Sequence, residues 1–99
     1  MERYEVVEAG DGDEAIEVAK ARQPRVILMD MSLPIRDGWS ATRAIKDDPA
    51  TAHIPVIALT AHVSEEYRLK AKAAGCDAYV AKPVVPRVVA ETIRQFAEP

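Results

Sequence analysis

Three polar residues in this sequence each close a short apolar run. Asp30 follows Val26-Ile27-Leu28-Met29, Thr60 follows Val56-Ile57-Ala58-Leu59, and Lys82 follows Ala78-Tyr79-Val80-Ala81. A carboxylate is a nucleophile and a metal ligand, a hydroxyl both donates and accepts a hydrogen bond, and an ammonium offsets negative charge. Side by side, the three would make a site for an anion or a phosphoryl group. Taken singly, each has a plainer role: a loop or capping acid, a strand-end threonine bonded to nearby backbone, a solvated lysine. The stronger reading requires a fold that gathers them.

The elements around them supply such a fold. Tyr4 to Ala9 has the composition of a strand and stops at Gly10. Asp11 opens a helix, with Glu14 three residues on as in a capping box. Ala15, Ile16, Val18, Ala19 and Arg22 form one helical face, and Pro24 ends it. Val26–Met29 suits a strand covered on both faces. A loop with Pro34, Asp37 and Gly38 leads into a helix over Trp39–Asp47, and Ile54–Thr60 is a further strand. Ser64 caps the next helix, whose first turn carries Glu65 and Glu66, and Gly75 stops it. A strand over Ala78–Ala81 follows. Pro86 then starts a helix in which Val85, Val89, Ile93 and Phe96 recur at helical spacing. Four β-α units joined by right-handed crossovers give a parallel, doubly wound α/β sheet. Ligands of such sheets sit beyond the C-terminal ends of the strands, where Asp30, Thr60 and Lys82 lie.

Composition narrows the function. The 99 residues make one domain, spanning 1–99, with 48% hydrophobic and 29% charged residues. The balance of 13 basic against 16 acidic residues, net −3, argues against nucleic-acid binding. No apolar run approaches the roughly 20 residues of a membrane span, so no membrane partner is expected. The single cysteine, Cys76, excludes an internal disulfide and suits a reducing, cytoplasmic setting.

Several stretches, in order and at matching intervals, resemble the receiver domain of two-component response regulators. They are Val26-Ile27-Leu28-Met29-Asp30-Met31-Ser32-Leu33-Pro34 with Asp37-Gly38, Ile54-Pro55-Val56-Ile57-Ala58-Leu59-Thr60-Ala61, and Ala74-Gly75-Cys76-Asp77-Ala78-Tyr79-Val80-Ala81-Lys82-Pro83. The opening Tyr4–Ala15 fits too. The resemblance implies a flavodoxin-like fold and a phosphoryl acceptor, not an enzyme beyond self-catalysed phosphotransfer and dephosphorylation. Asp30 would take the phosphoryl group from a histidine kinase or phosphotransfer protein. Thr60 would be the switch hydroxyl, Lys82 the phosphoryl-binding lysine, Lys82-Pro83 a cis peptide, and Tyr79 the aromatic switch. Output would use the face of the third helix, fourth strand and fourth helix.

The family begins with one more β-α unit. Its central first strand ends in an acidic pair that holds a divalent metal. This sequence starts at Met1-Glu2-Arg3-Tyr4, already within what resembles the second strand. The expectation is therefore an incomplete receiver domain, truncated at the N-terminus. Asp30 and the Ser32 backbone carbonyl remain as metal ligands, so Mg²⁺ binding should be weak or absent and phosphorylation impaired. Glu8 or Asp11 stands at the correct edge to substitute, though a capping role for Asp11 is simpler. The strands Tyr4–Ala9 and Val26–Asp30 would lose their shared neighbour. They could close on each other, two chains could complete one another as a homo-oligomer, or the missing unit could come from elsewhere; association is the favoured outcome.

The alternative function is an interaction or dimerisation module that keeps the fold without phosphorylation. An enzyme on the same fold lacks support: there is no nucleophile elbow and no glycine-rich phosphate loop. Among other residues, His53 and His62 form no metal motif, and His62 falls two residues after Thr60, a position that modulates access in the family. Cys76 is expected as a small buried hydrophobe, Trp39 as half-buried or partner-facing, and Arg68, Lys70 and Lys72 as a solvated helix face.

Overall fold

In the computed structural model, residues 6–8, 11–31, 38–61, 64–83 and 85–97 are described. Strands and helices alternate among them: β1 (Val6–Glu8), α1 (Gly12–Arg22), β2 (Val26–Asp30), α2 (Gly38–Asp47), β3 (Val56–Thr60), α3 (Glu65–Ala74), β4 (Ala78–Ala81) and α4 (Pro86–Ala97). The sheet order is β1-β2-β3-β4, and every pairing is parallel.

Local chemistry sets the helix ends. Asp11 accepts the Glu14 amide at 2.8 Å, and Ser64 accepts that of Tyr67 at 3.3 Å. Each satisfies a donor the helix cannot, worth about 1 kcal/mol. Gly75 closes α3 in the left-handed region at φ 99°, and a Cβ there would lie 2.9 Å from Lys46 Cγ. Both its conformation and its neighbour require glycine. The end of α1 differs from expectation. The helix stops through Gln23, left-handed at φ 47°, one residue ahead of Pro24. The Gln23 side-chain amide donates to the carbonyls of Ala19 and Ala50, both at 3.1 Å, which holds that turn. β3 starts at Val56 rather than Ile54. Pro55 has no amide for a ladder, and the Ile54 amide is spent on Thr51 O at 3.0 Å.

Alternation along β2 and β3 builds two cores. Ile27, Met29, Val56 and Ala58 pack with Ala15 and Ala19 of α1 and with Ala41 and Ile45 of α2. Val26, Leu28, Ile57, Leu59 and Val80 pack on the other face with Val89, Ile93 and Phe96 of α4. The apolar runs are thus covered on both sides, as a central parallel strand requires. Each fully buried Ile or Met contributes about 1.5–3 kcal/mol. Val85 departs from the expected stripe: it precedes α4 and is 53% exposed.

The expected hole in the sheet is corrected. β1 pairs β2 directly, with Val6 opposite Val26, Val7 opposite Ile27 and Glu8 opposite Leu28. Of the three arrangements considered, the structure takes the first, closure within one chain. The peptide groups facing each other satisfy one another, so the inner edges of β1 and β2 give no drive for the favoured association. Among the described residues, no helix is long and apolar enough to cross a membrane.

Candidate functional site

Asp30 and Thr60 end β2 and β3, and Lys82 directly follows β4. The register places Asp30 opposite Leu59 and Thr60 opposite Ala81, so all three residues stand on one rim. Ladder bonds continue one step past the strands. The Met31 amide donates to Leu59 O at 3.0 Å, and the Lys82 amide donates to Thr60 O at 2.8 Å. The backbone of the rim is therefore fixed by the sheet itself. The Lys82-Pro83 peptide is cis.

The side chains meet. Lys82 Nζ donates to Asp30 Oδ2 at 2.6 Å, the two side chains being 33% and 32% exposed. A pair this open adds about 1 kcal/mol or less to stability, so its significance lies in the charge it presents to an incoming anion. Thr60 is buried. It lies two residues beyond Ala58, whose register partner is Tyr79, so the pleat sets Thr60 and Tyr79 on one face of adjacent strands. Tyr79 is half-buried against the core of that face.

One residue of the site was missed in the sequence. Gly38, taken there as part of a loop, is the first residue of α2. A Cβ on it would lie 2.8 Å from Asp30 O and from Met31 Cα. Only a hydrogen in place of a side chain lets α2 start against the backbone of the acid. The available signal was a glycine just ahead of an amphipathic segment.

The acids considered as metal ligands are otherwise occupied or apart. Asp11 caps α1, as the simpler reading held. Glu8 ends β1 opposite Leu28, two positions short of Asp30 in register. Among the described residues, no group of three or more His, Cys, Asp or Glu could hold a metal ion. Asp30, the carboxylate offered by the sequence as a metal ligand, has its Oδ2 engaged by Lys82. Ser32 and His62, also considered, lie outside the described residues.

A parallel, doubly wound sheet with acid, hydroxyl and ammonium on its C-terminal rim has known counterparts. The model of the response regulator receiver domain matches residues 1–94. This chain belongs to the response-regulator receiver family. It is 40% identical over 94 residues to the polar-differentiation response regulator DivK of Brucella anthropi, covering 94% of this chain and 76% of that protein. The DivK of Brucella abortus (strain 2308) matches to the same extent. Among solved structures, the receiver domain of a Pseudomonas aeruginosa sensor histidine kinase superposes with a TM-score of 0.83 at 33% identity, over 92% of this chain and 75% of that one. That structure has a magnesium ion coordinated in its active-site cleft. Chemotaxis protein CheY4 of Vibrio cholerae superposes with a TM-score of 0.81 at 27% identity, over 89% of this chain and 73% of that one. The flavodoxin-like fold inferred from the sequence is thus the receiver fold, and this receiver domain is a two-component signalling module.

Proposed function

We propose that this receiver domain accepts a phosphoryl group on Asp30 from a histidine kinase or phosphotransfer protein in the cytoplasm. The observation that carries the reading is the 2.6 Å contact of Lys82 Nζ with Asp30 Oδ2 on the strand rim. An Asp30 carboxylate oxygen attacks phosphorus, the P–N bond to the donor histidine breaks, and the electron pair leaves with the imidazole. Lys82, already beside the carboxylate, moves its hydrogen bond to a phosphoryl oxygen and offsets the added charge. Thr60 is the hydroxyl that would follow that oxygen. Tyr79, on the same face of the next strand, would fill the space Thr60 leaves. The protein acts as acceptor rather than as an enzyme, with turnover limited to gaining and losing its own phosphoryl group.

We place divalent-metal binding as weak in the chain as given. The support is the donor set: no three ligating side chains gather among the described residues, and Lys82 occupies one oxygen of Asp30. Slow phosphorylation follows, because the ammonium is then the main offset to repulsion between two anions. The test is incubation with acetyl phosphate and Mg²⁺ followed by intact-mass measurement. One phosphoryl adduct on the native chain, absent from Asp30→Asn, is the expected result. An unmodified mass at every Mg²⁺ concentration would instead favour the non-phosphorylated interaction module. Self-association would use an outer strand edge or a helix face, since the facing edges of β1 and β2 are paired.

A further inference from the structure

A second feature lies between α2 and α3. Trp39, Ser40 and Arg43 of α2 face Lys70 and Ala73 of α3 across a groove of about 290 Å³. Spacings of three and four residues put each set on one helix face. The small side chains of Ser40 and Ala73 leave the space open. Beside it the Trp39 and Tyr67 rings meet, with centroids 6.2 Å apart at 37°. Lys70 Nζ lies 5.6 Å from the Tyr67 ring centroid. The groove is thus lined by the apolar Trp39 and Ala73 and by one cation from each helix.

The charges decide what suits it. Other cations nearby are committed: Arg68 pairs with Glu65 at 2.7 Å, and Lys46 with Asp77 at 2.8 Å. Arg43 and Lys70 are exposed, and among the described residues neither forms an ion pair. The acids one turn from them, Asp47 and Glu66, are also exposed and do not neutralise them. Two unneutralised cations lining one groove with an indole complement a carboxylate-rich segment that inserts an apolar side chain. A long polyphosphate is disfavoured, because the whole chain carries net −3.

We propose that the α2–α3 groove docks an acidic peptide segment of a partner protein, its carboxylates on Arg43 and Lys70 and an apolar side chain against Trp39.

Trp39 is the only tryptophan, so its emission reports occupancy directly. The full chain is titrated with a peptide built from Asp, Glu and Leu, and in parallel with its Asn, Gln and Leu counterpart. A saturable change with the acidic peptide, at least tenfold weaker with the amide peptide, is expected. Arg43→Gln with Lys70→Gln should weaken the acidic peptide roughly tenfold, as two exposed charge pairs imply. Arg43→Gln alone, at an exposed helix position, should show part of that loss with the same circular dichroism as the native chain. Equal response to both peptides, no saturable response, or indifference to the double variant overturns the proposal. A change in emission on concentrating the chain without peptide would assign the groove to a second copy and overturn it as well.

Discussion

A salt bridge with a third of each side chain in water holds little folding energy, so Asp30 and Lys82 are better understood as charges arranged for an incoming group. Their types and positions were legible in the sequence because both follow apolar runs whose strand register is nearly forced. Gly38 was not legible, since its importance depends on how closely α2 approaches the carbonyl of Asp30. Cys76 is a residue-scale case with a measurable consequence. It packs against the α1–α2 core with Sγ 4.0 Å from Thr42 Oγ1. Burial, with a smaller contribution from Asp77, pushes the thiol from 9.0 up to about 11. The folded value lies above the unfolded one, so the native state prefers the neutral thiol. That contribution to stability is whole below pH 9 and fades as pH rises through 11. Alkylation of the folded protein at pH 8 should be slower than in urea, on the order of a hundredfold from thiolate population alone. Between pH 9 and 11 the urea midpoint should fall more steeply for the native chain than for Cys76→Ala. Equal alkylation rates, or identical slopes, would contradict the burial of this thiol.

Among the elements, the end of the sheet opposite Asp30 is tied by one acid. Asp77 Oδ2 accepts from Lys46 Nζ and from the Val56 amide, both at 2.8 Å. The Asp77 amide returns a bond to Val56 O at 2.8 Å. Lys46 Nζ also donates to Ile54 O at 2.7 Å and Ala52 O at 3.2 Å. The last turn of α2, the start of β3 and the start of β4 are thereby joined. Asp77→Ala should lower the unfolding free energy by about 1–3 kcal/mol in urea titration, because it strands a backbone donor and loosens a half-buried ammonium. Phosphorylation of the folded fraction should be unchanged, since the tie lies at the far end of the strands. Helix capping by Asp11 and Ser64 was readable from sequence, being an interaction over three residues. The Asp77 tie was not, because its partners lie 21 and 31 positions away, counting from Val56 and Lys46 to Asp77.

Over the whole molecule, the sheet is covered unequally. α1 and α2 pack on one face, while α4 supplies the helical packing of the other core. The chain folds to a radius of gyration of 12.4 Å with its strand ladder closed internally. Light scattering at high concentration should therefore give a particle of 10.8 kDa. A dimer mass would show that an outer strand edge or a helix face is in use.

The sequence alone determined the alternation of four strands and four helices, the parallel sheet, and the rim on which Asp30, Thr60 and Lys82 stand. These follow from short-range rules: apolar runs, caps, breakers, and the one-handed crossover that parallel strands demand. Tertiary structure decided the rest. It showed β1 pairing with β2 instead of waiting for another strand, Gly38 admitting α2 to the backbone of Asp30, and Arg43 facing Lys70 across a groove. Each depends on which surfaces come together after the local elements exist, and distance along the chain does not encode that.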